Sequence, residues 1–310
     1  MKEICLDITG CRALGDALCA TPLIRKLYNS YNKKVSVITH MIELFQNNPY
    51  VESVYHDLIN REELKEKYDI YNTFDVSYKE NGVCNKHNSM DIRQFHAISL
   101  GLMLTKEEMT LDYIPKYSTV VPNIPEKYVL IHSVQNWNSR TWDINNWKFL
   151  TKLLNEKGIS VISIGKDSSE LGGSNVDKPV FDFEIQNGLN LVNKTTLDET
   201  WSLIANSLCF ITMDSGLLHL AGTTDAQIIQ LGSSINPEFR APYRYGSQDY
   251  KYHYIRGGCG LHCASDVKYG VREWGSIQGV PPLVNCLENK PTFECHPSVI
   301  QVYNKVLEFV

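Results

Sequence analysis

The chain has 310 residues, enough for two domains of ordinary size. Its 43% hydrophobic and 21% charged content is that of a globular protein, and a net charge of −5 without a basic block argues against a nucleic-acid partner. No apolar run approaches the roughly 18 residues a membrane helix needs. Glu3 and Asp7 interrupt the opening stretch where a signal peptide would be apolar, so no transmembrane segment and a cytoplasmic location are expected.

Ile4 to Ile8 reads as a first strand, followed by the glycine-bracketed turn Gly10 to Asp16. The next helix carries apolar positions Leu23, Ile24, Leu27 and Tyr31, with Pro22 tolerable only near its first turn. Lys34 to Thr39 is a second strand, Ile42 to Phe45 a short helix, Val51 to Tyr55 a third strand, and Asp69 to Asn72 a candidate fourth. Asp91 opens a helix expected to bury Ile92, Phe95, Ile98 and Leu102 on one side. The prolines of residues 112–127 have the composition of a linker.

The pattern then restarts. Tyr128 to Ser133 is a strand, Val134 to Thr141 a polar loop, and Trp147, Leu150, Leu153 and Leu154 mark a helix ended by Gly158. Ile159 to Ile164 is a strand closed by Gly165, and Thr196 with Glu199 forms a capping box. Leu208 to Thr212 is a buried strand broken by Asp214-Ser215-Gly216, and Ala226 to Leu231 is the next, with Gly232-Ser233-Ser234 at its end. Small polar turns at the carboxyl ends of neighbouring strands are where open α/β sheets bind ligands, and a helix opening at Ser215 would offer N–H groups to an anion. The plainer reading is an ordinary capped βα turn. After Pro242 periodicity fades until a last helix near residues 297–310.

Alternating strands and helices on either side of a proline-bearing linker predict an α/β protein with two facing Rossmann-like domains. The boundaries are an N-terminal domain over 1–115, a linker over 116–127, a C-terminal domain over 128–296, and a helix over 297–310. Gly-x-Gly-x-x-Gly is absent, which weakens a nicotinamide dehydrogenase. Asp-x-Asp is absent too, so nothing suggests a divalent metal held on a sugar diphosphate.

Several motifs together carry a resemblance. Leu14-Gly15-Asp16-Ala17-Leu18 with Thr21-Pro22, Asn48-Pro49-Tyr50-Val51, Asn193-Lys194-Thr195-Thr196-Leu197, and Asp214-Ser215-Gly216 with His219-Leu220-Ala221 occur in order. With Gly232 and Pro237 they resemble the heptosyltransferases of glycosyltransferase family nine. The resemblance implies a GT-B fold and an inverting, metal-independent transfer from a nucleoside-diphosphate sugar, ADP-heptose foremost. The donor would lie in the C-terminal domain and the acceptor, a glycan or protein hydroxyl, at the N-terminal one. The lead-in Gly10-Cys11-Arg12 is unusual, and Asp7 stands where the family often has a basic residue.

Such a transfer wants a carboxylate to take the acceptor's proton and positive charge for the leaving diphosphate. Asp16, at a strand end and in the family motif, is the first candidate base, and Asp91 is the rival; each also reads as a helix N-cap. Arg140, Lys194 and the helix opening at Ser215 are the candidates for the diphosphate. Arg140 reads as readily as a solvated loop arginine, and Lys194 reads more simply as a surface lysine. The expected donor site also takes in Gly15, Ser139, Gly165, Asp214, Gly216, His219 and Gly232. A nucleotide-sugar epimerase of the same fold, or a catalytically silent nucleotide-sugar-binding subunit, are the alternatives.

Of nine cysteines, Cys259, Cys263, Cys286 and Cys295 crowd into the aperiodic tail. Four thiolates can hold zinc or iron tetrahedrally, so a structural metal is expected there, with His262 or His296 as alternative ligands to the widely spaced second pair. No cofactor is expected for catalysis. Reduced free thiols are the second reading, and disulfides the last. Similar cysteine clusters occur in some members of the family, including heptosyltransferases that modify autotransporter proteins.

Overall fold

The structure, a computed structural model, describes residues 2–11, 13–73, 90–116, 121–133, 138–166, 183–265, 286, 290 and 292–310. Arg12, Cys84, parts of the linker and of the 134–141 loop, and most of the chain between Cys263 and Cys295 lie outside these residues.

The first unit begins with β1 (Glu3–Asp7), the one-turn helix α1 (Leu14–Leu18) and α2 (Thr21–Tyr31). Pro22 sits in the first turn of α2, where its missing N–H costs nothing, and Asn32 ends the helix at φ 50°. Leu23, Ile24 and Leu27 are buried, but Tyr31 is 59% exposed. There follow β2 (Val35–Thr39), a 3₁₀ turn over Ile42–Leu44, β3 (Val51–His56), α3 (Arg61–Leu64), β4 (Tyr68–Asn72) and α4 (Ile92–Ile98). The strands form one parallel sheet in the order β3-β2-β1-β4.

The expected buried side of α4 needs correction. The helix stops at Ile98, which is 45% exposed, and the residues it buries are Ile92, Arg93, His96 and Ala97. A charged and a titratable side chain fill places that apolar spacing had assigned to Phe95 and Ile98.

The second unit runs β5 (Tyr128–His132), α5 (Ile144–Glu156), β6 (Ser160–Ser163), β7 (Gly188–Asn190), α6 (Leu197–Ala205), β8 (Cys209–Thr212), α7 (Gly216–Ala221), β9 (Ile228–Leu231), β10 (Tyr252–Ile255) and α8 (Val299–Val306). Its sheet is also wholly parallel, in the order β10-β9-β8-β5-β6-β7. Fully buried runs such as Tyr128–His132 and Cys209–Thr212 are what a parallel sheet covered on both faces requires. The Thr196–Glu199 capping box opens α6 and a second one, Ser298–Gln301, opens α8. Gly158 ends α5 at φ 76°, as its C′ position asks. Trp142 and Trp147 meet edge to face at 4.8 Å, and the Trp142 indole donates to Pro297 O at 3.0 Å, tying α8 to this unit. β7 and β10 are short strands that the sequence pattern did not announce.

One hydrophobic cluster joins Leu6, Leu18 and Leu23 of the first unit to Leu130, Phe210 and Leu220 of the second. The two units therefore share buried surface where the carboxyl ends of β1 and β8 approach. Among the described residues no helix is long and apolar enough to cross a membrane.

Candidate active site

The contact between the units is made by glycines. A Cβ built on Gly15 would stand 2.7 Å from His219 Cδ2, and one on Gly216 would stand 3.1 Å from Leu14 Cβ and 3.2 Å from Gly15 N. Helix α1 therefore lies directly against α7, with the space a side chain would take at Gly15 and at Gly216 filled by the facing helix. The His219 ring completes the contact, with Nδ1 3.6 Å from Cys19 Sγ. Burial holds this imidazole neutral, its pKa pushed down to about 3. Gly216, placed in the donor site by its turn, faces the other unit where a side chain would stand.

Asp214 leaves the carboxyl end of β8 and is almost wholly buried between two arginines. Arg140 donates from Nε to the Asp214 carbonyl at 2.9 Å and lies 3.3 Å from its Oδ2. Arg240 donates from Nε to Oδ1 at 3.2 Å. Burial alone would raise the Asp214 pKa, but the two guanidinium charges overcome it and hold the carboxyl below its ordinary range. Arg240 escaped the sequence reading. It lies in the irregular stretch after β9, where no periodicity or glycine marks it.

Asp16, on α1, faces this group from the other unit and is half-buried. Desolvation raises its pKa from the ordinary 3.8 to about 6, with Arg240 and Arg140 pulling it down and Asp214 pushing it up. A carboxyl whose pKa lies nearer neutrality, at the seam between the two units, can exchange a proton near neutral pH. Asp91 is differently placed. It caps α4 through Arg93 N, and its carboxylate takes Arg93 Nε at 2.7 Å and the terminal guanidinium nitrogen at 2.5 Å. Arg93 is fully buried, so Asp91 is its counter-ion.

Ser215 caps its own helix, its Oγ accepting from Leu218 N at 3.4 Å. It also meets His132 Nδ1 at 3.2 Å and Thr212 Oγ1 at 3.1 Å. Because α7 has only six residues, its dipole is a minor charge beside the two arginines.

The other expected donor residues are engaged by the protein. Lys194 is exposed, with Nζ on Asn190 O at 2.9 Å. Gly165 adopts φ 145°, and its carbonyl accepts from Asn193 N. Ser139 is buried beside Arg140, its Oγ bonded to Ser234 Oγ at 3.0 Å and its carbonyl to His296 Nε2 at 3.0 Å. A Cβ on Gly232 would strike Cys295 O at 2.4 Å, so this glycine makes room for the cysteine-bearing segment.

That segment is built into the back of the site. Gly257 N donates to Cys295 O, Cys259 N to Glu294 O and Ala264 N to Ser234 O. Burial pushes the Cys263 thiol up to about 11, with Cys286 and Cys259 adding to the rise. Burial pushes Cys295 up to about 12, Arg256 opposing and Cys263 and Cys259 adding. The four thiols thus sit within one another's fields. Even so, among the described residues no group of three or more His, Cys, Asp or Glu is arranged to hold an ion. Neither histidine alternative is vacant, since His296 is bonded to Ser139 and His262 faces the Arg256 guanidinium at 3.0 Å.

Two parallel α/β units meeting at their carboxyl edges, with an acid from one set against an acid and two arginines of the other, define a protein of the GT-B class. The family model for glycosyltransferase family 9 (heptosyltransferase) matches residues 87–252, more than half of the chain. The chain belongs to that family. Lipooligosaccharide heptosyltransferase 2 of Haemophilus influenzae is 28% identical over 104 residues, which are 34% of this chain and 30% of that protein. Lipopolysaccharide heptosyltransferase 2 of Escherichia coli is 25% identical over 124 residues, 39% of this chain and 36% of that one. The matches thus span about a third of the length of these curated relatives. Among solved structures, the iron-containing dodecameric glycosyltransferase TibC of enterotoxigenic E. coli superimposes with a TM-score of 0.68 at 16% identity, over 99% of this chain and 76% of that one. TibC in complex with ADP-D-beta-D-heptose gives 0.70 at 17% identity, with the same shares covered. E. coli ADP-heptose lipopolysaccharide heptosyltransferase II gives 0.58 at 18%, over 84% and 92%. These likenesses show a common GT-B fold.

Proposed function

We propose that the protein is an inverting glycosyltransferase that moves a heptose from ADP-heptose to a hydroxyl of a glycan or protein acceptor. The observation that carries this is the meeting of Asp16 with Asp214, Arg140 and Arg240 between the two sheets. Ionised Asp16 takes the proton of the acceptor hydroxyl as its oxygen attacks the anomeric carbon. The bond from that carbon to the diphosphate breaks on the opposite face, and ADP leaves with the electron pair. Arg140 and Arg240 supply positive charge to the departing diphosphate, so no metal is required in the reaction. The turn Asp214-Ser215-Gly216 lies beside them, and Lys194 reaches the diphosphate by releasing Asn190. The relatives' names supply the donor; among them, one TibC structure contains ADP-heptose.

We also propose one structural iron or zinc on Cys259, Cys263, Cys286 and Cys295, supported by the mutual influence of the thiols and by the iron-containing TibC fold relative. The metal would brace the segment behind Ser139 and Ser234, and no catalytic step passes through it. Cysteines that are all free among the described residues suit a reducing, cytoplasmic setting.

The test is ADP release from ADP-heptose, with and without candidate acceptors and with EDTA present. Acceptor-dependent release that survives EDTA is the expected result. Absence of both ADP binding and ADP release across a panel of nucleotide-sugars would overturn the reading.

A further inference from the structure

His96 is a buried group with no part in that chemistry, and it touches the backbone of the proposed base. It lies on α4, fully buried, with Nε2 3.0 Å from the carbonyl oxygen of Asp16 and Nδ1 3.0 Å from Thr73 Oγ1. Cys11 Sγ is 3.8 Å from Nε2. Thr73, also fully buried, follows the end of β4, and its own N–H is bonded to Asp7 O of β1. The imidazole therefore joins the edge strand of the first sheet, through α4, to the short helix that carries Asp16.

The tautomer follows from these partners. Burial drives the ring's pKa down to about 4, so it carries one proton at neutral pH. A carbonyl oxygen only accepts, so that proton is on Nε2. Nδ1 is then the acceptor and Thr73 Oγ1 the donor. In five-residue α1 the carbonyls of Gly15 and Ala17 accept from the backbone N–H groups of Cys19 and Ala20, while that of Asp16 meets the His96 ring. A side-chain donor from a neighbouring element fixes the orientation of that turn, and with it the direction of the Asp16 carboxylate.

We propose that His96, donating from Nε2 to the Asp16 carbonyl and oriented through Nδ1 by Thr73, is a positioning residue that sets the Asp16 carboxylate for proton abstraction. This rests on the reading of Asp16 as the base. Its effect belongs in kcat, because the donor is held by the other unit. The charged groups facing Asp16 are Arg240, Arg140 and Asp214, with the Cys11 and Cys19 thiols beside it, and none of these residues is replaced below.

The experiment compares H96Q, H96N and T73V with the wild type, in the full chain. Glutamine places an N–H where Nε2 stands and keeps the bond to Asp16 O. Asparagine keeps a polar atom near Thr73 and loses the bond to Asp16. T73V leaves the bond from Nε2 to Asp16 O available but removes the hydroxyl that orients the ring through Nδ1. Expected are kcat within about threefold of wild type for H96Q and a loss of about tenfold or more for H96N and T73V. The KM for donor and the calorimetric affinity for ADP should stay within about twofold in all three. Equal losses in H96Q and H96N, or losses confined to KM and melting temperature, would overturn the proposal and leave His96 a packing residue. A wild type that binds ADP but turns over no nucleotide-sugar, or a D16N variant that keeps wild-type turnover, would instead defeat the parent reading.

Discussion

Replacing Asp16 by asparagine should make the protein more stable and nearly inactive. Asparagine mimics the protonated acid, and the fold prefers Asp16 protonated, since its pKa stands at about 6 against an ordinary 3.8. At 1.36 kcal/mol for each tenfold in proton affinity, that preference is worth about 3 kcal/mol. The penalty depends on pH. Below about 4 the acid is protonated folded and unfolded, and it costs nothing. Between about 4 and 6 the folded state binds more protons than the unfolded one, so stability falls as pH rises, and above about 6 the penalty is complete. At pH 7.5 D16N should melt roughly 5 °C or more above wild type, and the gap should close near pH 4. Turnover should fall by about a hundredfold or more, the usual worth of a general base. Asp91 supplies the contrast: D91N weakens the only carboxylate on fully buried Arg93 among the described contacts and should melt well below wild type at both pH values. D16N less stable than wild type at pH 7.5, or retaining full turnover, would refute the assignment.

The Arg240 guanidinium, with Arg140, holds the Asp16 pKa down, so R240M should move the acid limb of the pH–rate profile above its wild-type position near pH 6. An unmoved limb in a folded variant would separate Arg240 from the base. G216V and G15A should both force α1 from α7, lowering the melting temperature and weakening ADP binding in calorimetry; wild-type values for either would mean that the contact is dispensable. Protein purified without an affinity tag should carry close to one equivalent of iron or zinc by elemental analysis, and less than a tenth with the four thiols freely titratable would exclude the site.

The alternation of strand and helix was legible because parallel strands buried on both faces appear as short apolar runs, as at Tyr128–His132 and Cys209–Thr212. Caps were legible for the same local reason: Thr196 and Glu199 are three residues apart and bond each other. Strand β10 was not, because Tyr252 to Ile255 is an edge strand of half-buried residues without apolar alternation. Helix α4 misled because Arg93 and His96 are buried by partners far along the chain or off the helix axis, which no periodicity encodes.

The glycines show where sequence reading reaches its limit. Gly15, Gly216 and Gly232 each adjoin a polar turn at a strand end, and each reads as part of the donor site. In the fold, Gly15 and Gly216 face each other's helices and Gly232 faces Cys295 O. A glycine announces that something comes close, but the identity of that neighbour is a long-range fact. Gly15 and His219 meet across the length of both units, and the same closeness brings Asp16 under the influence of Arg140 and Arg240. The tight glycine contact and the raised pKa of Asp16 therefore have one cause, which is that α1 and α7 touch. A substitution that parts them should release Asp16 toward its ordinary pKa, so the melting temperature should fall less at neutral pH than near pH 4, while catalytic competence falls with the lost contact.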